Sequence, residues 1–529
     1  MSATARAVAT TLSASMILWG CSVGPDFMKP AAPATDRYTA DPLPGQTASA
    51  RTAGGAAQHF VRDRDIPGDW WVVFHSPALD ALVKEALAAN PNLTAAQAAL
   101  RQAHELTKAG EGAFFPLVQA GFAASRNKTA ATASPNTFNN ALYYNQYTAQ
   151  LSVSYTPDVW GLNRRTVEGL AAQEEAQRAQ LEAAYLTLTS GVVAAVIGEA
   201  ELRDQIAATE EIIRAQRESL DILRRQKSLG QAAGADVAAQ EAALAQAEAT
   251  LPPLQKQLAQ QRDLTAVLLG RLPSDQPAAK FTLASLQLPQ DLPVSLPSKL
   301  VEQRPDIRTA EENLHAASAA VGVAIANMLP QITLSAASGS GILSPQNISN
   351  LFGPGSAFWS LGGGITQPIF DGGTLLHKKR AAEAGLEEAA AQYRATVLNA
   401  FQNVADTLEA LKSDADTLTA AVKAEAAART SLDIAKRQLS LGAVNYLVLL
   451  NAEQAYAQAI VNRVQAQSAR LADTAALYQA LGGGWWNRQD VAGDGKAAAI
   501  LPQWGEKKFQ NRGPICSGRA NEPGRSLSG

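Results

Sequence analysis

Cysteine is almost absent: Cys21 and Cys516 are the only two among 529 residues, which excludes a disulfide framework. Histidine is nearly as scarce. His59, His75, His104, His315 and His377 are scattered, with no HExxH and no Cys-His cluster at metal-ligand spacing. Neither sign of charge prevails, with 45 Lys and Arg against 48 Asp and Glu, so neither a nucleic-acid-binding basic excess nor an acidic tail is present. No uninterrupted apolar run reaches the roughly 18 residues of a membrane helix. The glycine-rich stretches "ASGSGIL", "LGGGITQ" and "AGDGKAA" have neither nucleophile-elbow nor phosphate-loop spacing. No enzyme activity, cofactor or metal is expected.

What is present is alternation. In "YTAQLSVSYTPDVWG" (147–161), Tyr147, Ala149, Leu151, Val153 and Tyr155 share one face; Thr148, Gln150, Ser152 and Ser154 share the other. That is a strand between two environments, and about nine such residues cross a bilayer when tilted. "FWSLGGGITQPIFDGG" (358–373) repeats the pattern, with Trp359, Leu361 and Ile365 opposed by Ser360 and Thr366. At the N-terminus, one arginine precedes an apolar stretch, Ala7 to Trp19, and then Gly20-Cys21. This reads as an export signal over 1–20. Leu18-Trp19-Gly20-Cys21 resembles a bacterial lipobox, which implies acylation of Cys21; Ser22 lacks the aspartate that retains such proteins at the inner membrane. The bland alternative is an ordinary cleaved signal.

The chain is written twice. Pro91 in "NPNLTAAQAAL" pairs with Pro305 in "RPDIRTAEENL", Pro116 with Pro330, Pro157 with Pro368, Gly230 with Gly442, and Gly270 with Gly482, at a nearly constant offset. This is a duplication of one large unit. The expected organisation is an extended N-terminal and equatorial part over 21–92, a first repeat over 93–270, a linker over 271–305 and a second repeat over 306–482. The polar stretch 486–529 is expected to be a disordered tail. Each repeat reads as a helix, two strands (near 117–125 and 147–156; 331–339 and 358–367), a long helix (162–228; 373–440) and a return helix (235–270; 445–481). The long helices carry heptad seams through Leu181, Leu188, Val192, Ala195 and Glu199, and through Val397, Val404, Leu408, Leu411, Ala415 and Leu418. Pro252-Pro253 is expected to break the first return helix. The fold class is α+β, mainly α. Four strands cannot close a barrel in lipid, so copies of the chain must pool them; three copies supply about twelve.

At this point the sequence resembles the outer-membrane efflux duct family (TolC, OprM and NodT type), most closely its lipoprotein branch. The residues that carry this are "CSVGPDFMKP", "NPNLTAAQAAL", "LVEQRPDIRTAEENLHAASAAVGVAIANMLPQITL", "QPIFDGG", "LGAVNYLVLLNAEQAY" and "DTAALYQALGGGWW". The resemblance implies a homotrimer with a 12-stranded β-barrel and a coiled-coil periplasmic tunnel, lipid-anchored in the outer membrane. It would be the exit duct of a tripartite pump for drugs or other small toxic compounds. A periplasmic adaptor and an inner-membrane pump would be its partners. Two alternatives stand beside it. A type I protein secretion duct shares this architecture, and a coiled-coil adaptor lipoprotein shares the helices but needs no strands.

The family's gate lies where the helix pairs turn, here at Gly230 and Gly442. Many relatives place an aspartate nine residues past the second glycine, where this chain has Asn451. A carboxylate ring is therefore excluded there. Amide hydrogen bonds and packing of Leu447, Leu449 and Leu450 remain as closing contacts, with Tyr446 and Asp236 as further tip residues. Asp236 either supplies acidic lining or caps the helix that follows Gly234-Ala235. The run His377-Lys378-Lys379-Arg380 reads as a solvated helix face, with lipid headgroups or a lumen charge ring as the alternatives.

Overall fold

The computed structural model describes residues 22–128, 143–344 and 348–488. Cys21, Cys516 and most of the expected tail lie outside them. Six strands and eight α-helices are named in chain order. β1 is His59–Arg62, α1 Pro77–Ala89, α2 Pro91–Glu111, β2 Leu117–Lys128, β3 Tyr143–Tyr155, α3 Leu162–Ser228 and α4 Gly234–Leu268. β4 is Asp291–Val294, α5 Pro297–Gln303, α6 Pro305–Ala326, β5 Gln331–Ser344, β6 Ala357–Thr366, α7 Thr374–Ser440 and α8 Tyr446–Ala480.

Helix starts follow local chemistry. Proline occupies the first turn of α1, α2, α5 and α6, where its missing N–H costs nothing. Asn90 caps α2, its Oδ1 accepting from Asn92 N at 2.9 Å. α3 and α7 each begin after a glycine at positive φ (Gly161, Gly373), and Asp158 and Asp371 accept the first backbone donors. Both long helices have 67 residues, rods of roughly 100 Å, and both return helices have 35.

The helices order themselves in a row. Nearest the strands the sequence is α2–α3–α6–α7; toward the turns it is α4–α3–α8–α7. The strands follow the same order, β2-β3-β5-β6, in one antiparallel sheet. Register runs Gln150 opposite Gly121 and Gly339, and Ser338 opposite Trp359. Gly339 is required by close approach, because a Cβ there would lie 2.2 Å from the Ala149 carbonyl oxygen.

The heptad seams bury as read: Val192, Ala195, Val404, Leu408, Leu411 and Leu418 are each at most 1% exposed. Glu199, polar within its seam, is fully buried and paired with Arg203 at 2.7 Å and Arg262 at 3.4 Å. One window of α3 is long and apolar enough to match a membrane span by composition, yet half of it is buried. Its neighbours Val193, Val196 and Ile197 belong to the main core cluster.

That core is an equatorial belt. Trp70 stacks on Tyr478 at 5.5 Å, Trp71 Nε1 donates to Asp80, and Trp485 Nε1 donates to the Gln303 carbonyl. Trp486 and Asn487 bind Asp65, and Arg488 pairs with Glu182 at 2.8 Å. Residues 486–488 are therefore packed against the belt rather than part of a disordered tail. The chain's first part crosses the belt: β1 pairs in parallel with β4, and the segment 47–58 lies along α8.

The expected break in the first return helix is corrected. α4 runs unbroken through Pro252 and Pro253. The carbonyls these prolines leave unpaired sit on an exposed stretch, where water satisfies them, so the turn survives. The linker 271–305 holds not only the short strand β4 but also the helix α5.

Candidate functional site: the strand faces and the helix-hairpin tips

The sheet has two unlike faces. One collects Val118, Phe122, Leu151, Tyr155, Ile332, Leu334, Trp359, Leu361 and Ile365, which the register places on one side. Trp359, Leu361 and Ile365 are 79%, 78% and 73% exposed in the single chain. The other face carries Gln119, Gln146, Thr148, Gln150, Ser152, Ser335, Ser360 and Thr366 between glycines and alanines, with Leu117, Leu343 and Phe358 as its large apolar residues. No described strand residue on that face is charged. β2 and β6 form the sheet's edges, with no further partner among the described residues.

Directly below the sheet the first described residues are fastened. Arg165, 4% exposed, donates to the Val23 carbonyl at 3.1 Å, to Asp26 at 2.6 Å and to Glu168 at 2.7 Å. Burial works against its charge, but the two carboxylates outweigh it and raise the guanidinium pKa further. Phe27 stacks on His315 at 4.3 Å, and Lys29 pairs with Glu311 at 3.2 Å. Val23 N donates to the Trp160 carbonyl at 3.1 Å, at the junction of β3 and α3. The motif after Cys21 is thus a docked segment that ends beside the sheet.

At the far end, Gly230 (φ 74°) and Gly442 (φ 71°) turn the two hairpins. Each closes its helix in the same way, Gln231 N donating to the Gln226 carbonyl and Ala443 N to Gln438, both at 2.9 Å. The hairpins share a small core of Leu220, Leu223, Val237, Leu432, Ala435, Tyr446, Leu449 and Ala452. Leu450 is buried too, whereas Leu447 is exposed, as are Leu229 and Leu441 at the turns.

Tyr446 from α8 is 7% exposed and its hydroxyl has no hydrogen-bond partner. Burial, then Glu453, then Asp236 push its pKa up. Asp236 thus comes near Tyr446 across the two hairpins. It does not cap α4: Ala233 occupies that position without a side-chain bond, and Asp236 lies in the first turn, where a carboxylate suits the helix dipole. Asn451 is exposed. The acidic group near the tip core is instead Glu453, which accepts from Ser219 Oγ at 3.5 Å. Its pKa is raised, chiefly by burial, against the opposing pull of Lys436. Glu453 escaped the sequence reading, although its spacing of two helical turns from Tyr446 puts both on one face. Among the described residues no cluster suited to a metal occurs.

Comparison with known proteins agrees with this layout. The family model described as outer membrane efflux protein matches residues 82–271 and 296–483. The toluene efflux pump outer membrane protein TtgC of Pseudomonas putida is 30% identical over 90% of this chain and 96% of that protein. The pyoverdine export outer membrane protein OpmQ of Pseudomonas aeruginosa is 31% identical over 80% of this chain and 89% of that protein. The solved outer-membrane channel OprN superposes with a TM-score of 0.78 at 28% identity, covering 88% of this chain and all of that one. A chain with these strand faces, these paired rods and this breadth of similarity belongs to the outer membrane efflux protein family.

Proposed function

We propose that this protein is the exit duct of a tripartite efflux pump, a homotrimer in which three four-stranded sheets close one 12-stranded barrel. The observation that carries this is the sheet itself, apolar on one face, uncharged and polar on the other, and open at both edges. An open edge is not tolerated in lipid, so β2 and β6 must find partners, and another copy of the chain offers both. The uncharged polar face suits a water-filled lumen that passes solutes of either charge. The helices continue the same row into a tunnel. The chain is read as two copies of one unit, which the equal helix lengths support. Acylation at Cys21 suits the docked segment that follows it, since Ser22 lies beside the sheet's end and an acyl chain there meets the membrane. About 0.8 kcal/mol per buried CH₂ makes more than one chain a stable anchor.

The relatives' names point to small-molecule cargo, and with it to a periplasmic adaptor and an inner-membrane pump as partners. The exposed leucines at the turns, Leu229 and Leu441, are apolar ends suited to an adaptor. In this reading the duct is passive and its gate is the tip around Gly230, Asp236, Gly442, Tyr446 and Asn451, opened when one hairpin moves against the other. Joining Ser219→Cys to Glu453→Cys with a short bifunctional reagent ties the hairpins across their contact. Efflux of a dye from intact cells is expected to stop after crosslinking and to be normal without the reagent. Continued efflux through the tied protein refutes hairpin movement as the gate.

A further inference from the structure

In β2, β3, β5 and β6 the only charged residues among those described are Arg126 and Lys128, and both lie on β2. Residues two apart on a strand share a face, so both stand on the apolar side with Val118 and Phe122. They are exposed, about 7 Å apart along the strand, and neither has a carboxylate partner among the described residues. On a face that meets hydrocarbon, a cation is costly at mid-depth and nearly free of cost at an interface. Their height in the sheet therefore decides what they meet.

β3 sets that height. Tyr143 and Tyr155 stand on its apolar side at the two ends of a 13-residue strand. Such a strand is about 40 Å long and, tilted by about 45°, spans about 30 Å, the thickness of a hydrocarbon core. Aromatic residues at these two levels mark the edges of a membrane band. Lys128 lies opposite Tyr143, its Nζ 5.3 Å from the ring centroid, and Arg126 lies opposite Asn145. Both cations thus sit at the band edge remote from α3 and α7. At the near edge Arg164 bonds Asp158, and Arg165 bonds Asp26 and Glu168, so those charges are met within the chain. The run His377-Lys378-Lys379-Arg380 also belongs to the near side, on α7, and cannot reach the remote edge.

Resting on the duct reading above, in which the helices occupy the periplasmic side, we propose that Arg126, Lys128 and Tyr143 hold a phosphate group of an outward-leaflet glycolipid. Guanidinium and ammonium groups this close can both donate to one phosphate, a charge-assisted contact. The lipid's acyl chains would then run down the apolar side, over Phe122, Leu151 and Val118. The site turns away from the polar face, so it holds the barrel in its leaflet and does not touch cargo.

The test uses the full-length protein, extracted from outer membranes as a three-chain particle and stripped of lipid. It is titrated with bis-phosphorylated lipid A, and the fraction carrying lipid is read by native mass spectrometry. Arg126→Gln and Lys128→Gln are each expected to weaken binding by about fivefold, and the double variant by about thirtyfold. Lys423→Gln, exposed on the rod of α7, removes the same charge and is expected to change nothing. Lipid A stripped of its phosphates is expected to bind the parent no better than intact lipid A binds the double variant. Equal binding by parent and double variant, or of the two lipids, makes the pair an ordinary solvated rim; the site is then overturned and the duct reading stands. Displacement of the lipid by inorganic phosphate alone also overturns it, because the pair is then an anion site. Recovery of no three-chain particle overturns the duct reading and the site with it.

Discussion

Replacing Arg470 by alanine is expected to unfold the equatorial belt. Arg470 is fully buried, and its guanidinium donates to the carbonyls of Gly54 (2.9 Å) and Ala56 (2.8 Å), to Thr47 Oγ1 (3.1 Å) and to Gln58 Oε1 (3.2 Å). One turn away Gln467 donates to Thr52 Oγ1 and to the Ala53 carbonyl. These contacts hold the segment 47–58 along α8. The charge is balanced nearby: Asp414 lies against Asp473, and burial together with that second carboxyl pushes Asp414 up to about 7. Arg470 pulls Asp414 the other way, favouring its charged form, so the guanidinium and this carboxyl offset each other. Truncation leaves four acceptors without their donor, the Thr47 and Gln58 side chains fully inside the belt among them, and the acid pair without its cation. Breaking a buried pair of this kind costs about 3–5 kcal/mol. Arg470→Lys keeps the charge but loses the planar fork, so an intermediate loss is expected. Denaturant midpoints followed by tryptophan fluorescence measure both; an alanine variant within about 1 kcal/mol of the parent contradicts this account.

The second large effect is expected at the docked N-terminal segment. Gly24 has φ 94°, and a Cβ there would lie 2.4 Å from Gly322 Cα, a backbone atom that cannot turn aside. Gly24→Val therefore adds a left-handed β-branched residue, a strain of about 1–3 kcal/mol, to a backbone collision. Arg165→Ala removes the segment's main clamp from the other side, at about 3 kcal/mol, the low end for a buried pair because Asp26 is itself exposed. Both variants are expected to leave the helices folded while residues 22–29 become open to protease. Limited proteolysis with mass mapping reads this directly. Unchanged resistance in both variants means that the segment is held by something other than Arg165 and Gly24.

The parts of this structure that were legible in the sequence are those with a period. Alternation from Tyr147 to Tyr155 placed a strand, and the heptad through Val404, Leu408 and Leu411 placed a seam, because each pattern repeats often enough to exclude its rivals. What was not legible depends on contacts distant in sequence. β1 and β4 are four residues each, without alternation, and find each other across the whole first half of the chain. The Arg470 fastening joins α8 to the segment 47–58, and no local pattern announces it. Pro252-Pro253 misled because the helix-breaking rule assumes that the freed carbonyls are costly, which exposure removes. At the tip, the glycines were readable from their turns. The carboxylate was sought at position 451, and the helix presents one at Glu453 instead, two residues along and turned toward Ser219.

The central claim is that this sheet is one third of a barrel. The mass of the particle extracted in mild detergent from isolated outer membranes tests it most directly. The account requires three chains, their β2 and β6 edges joined. A single chain, or recovery only with the inner membrane, contradicts it, because four strands alone cannot satisfy their edges in lipid.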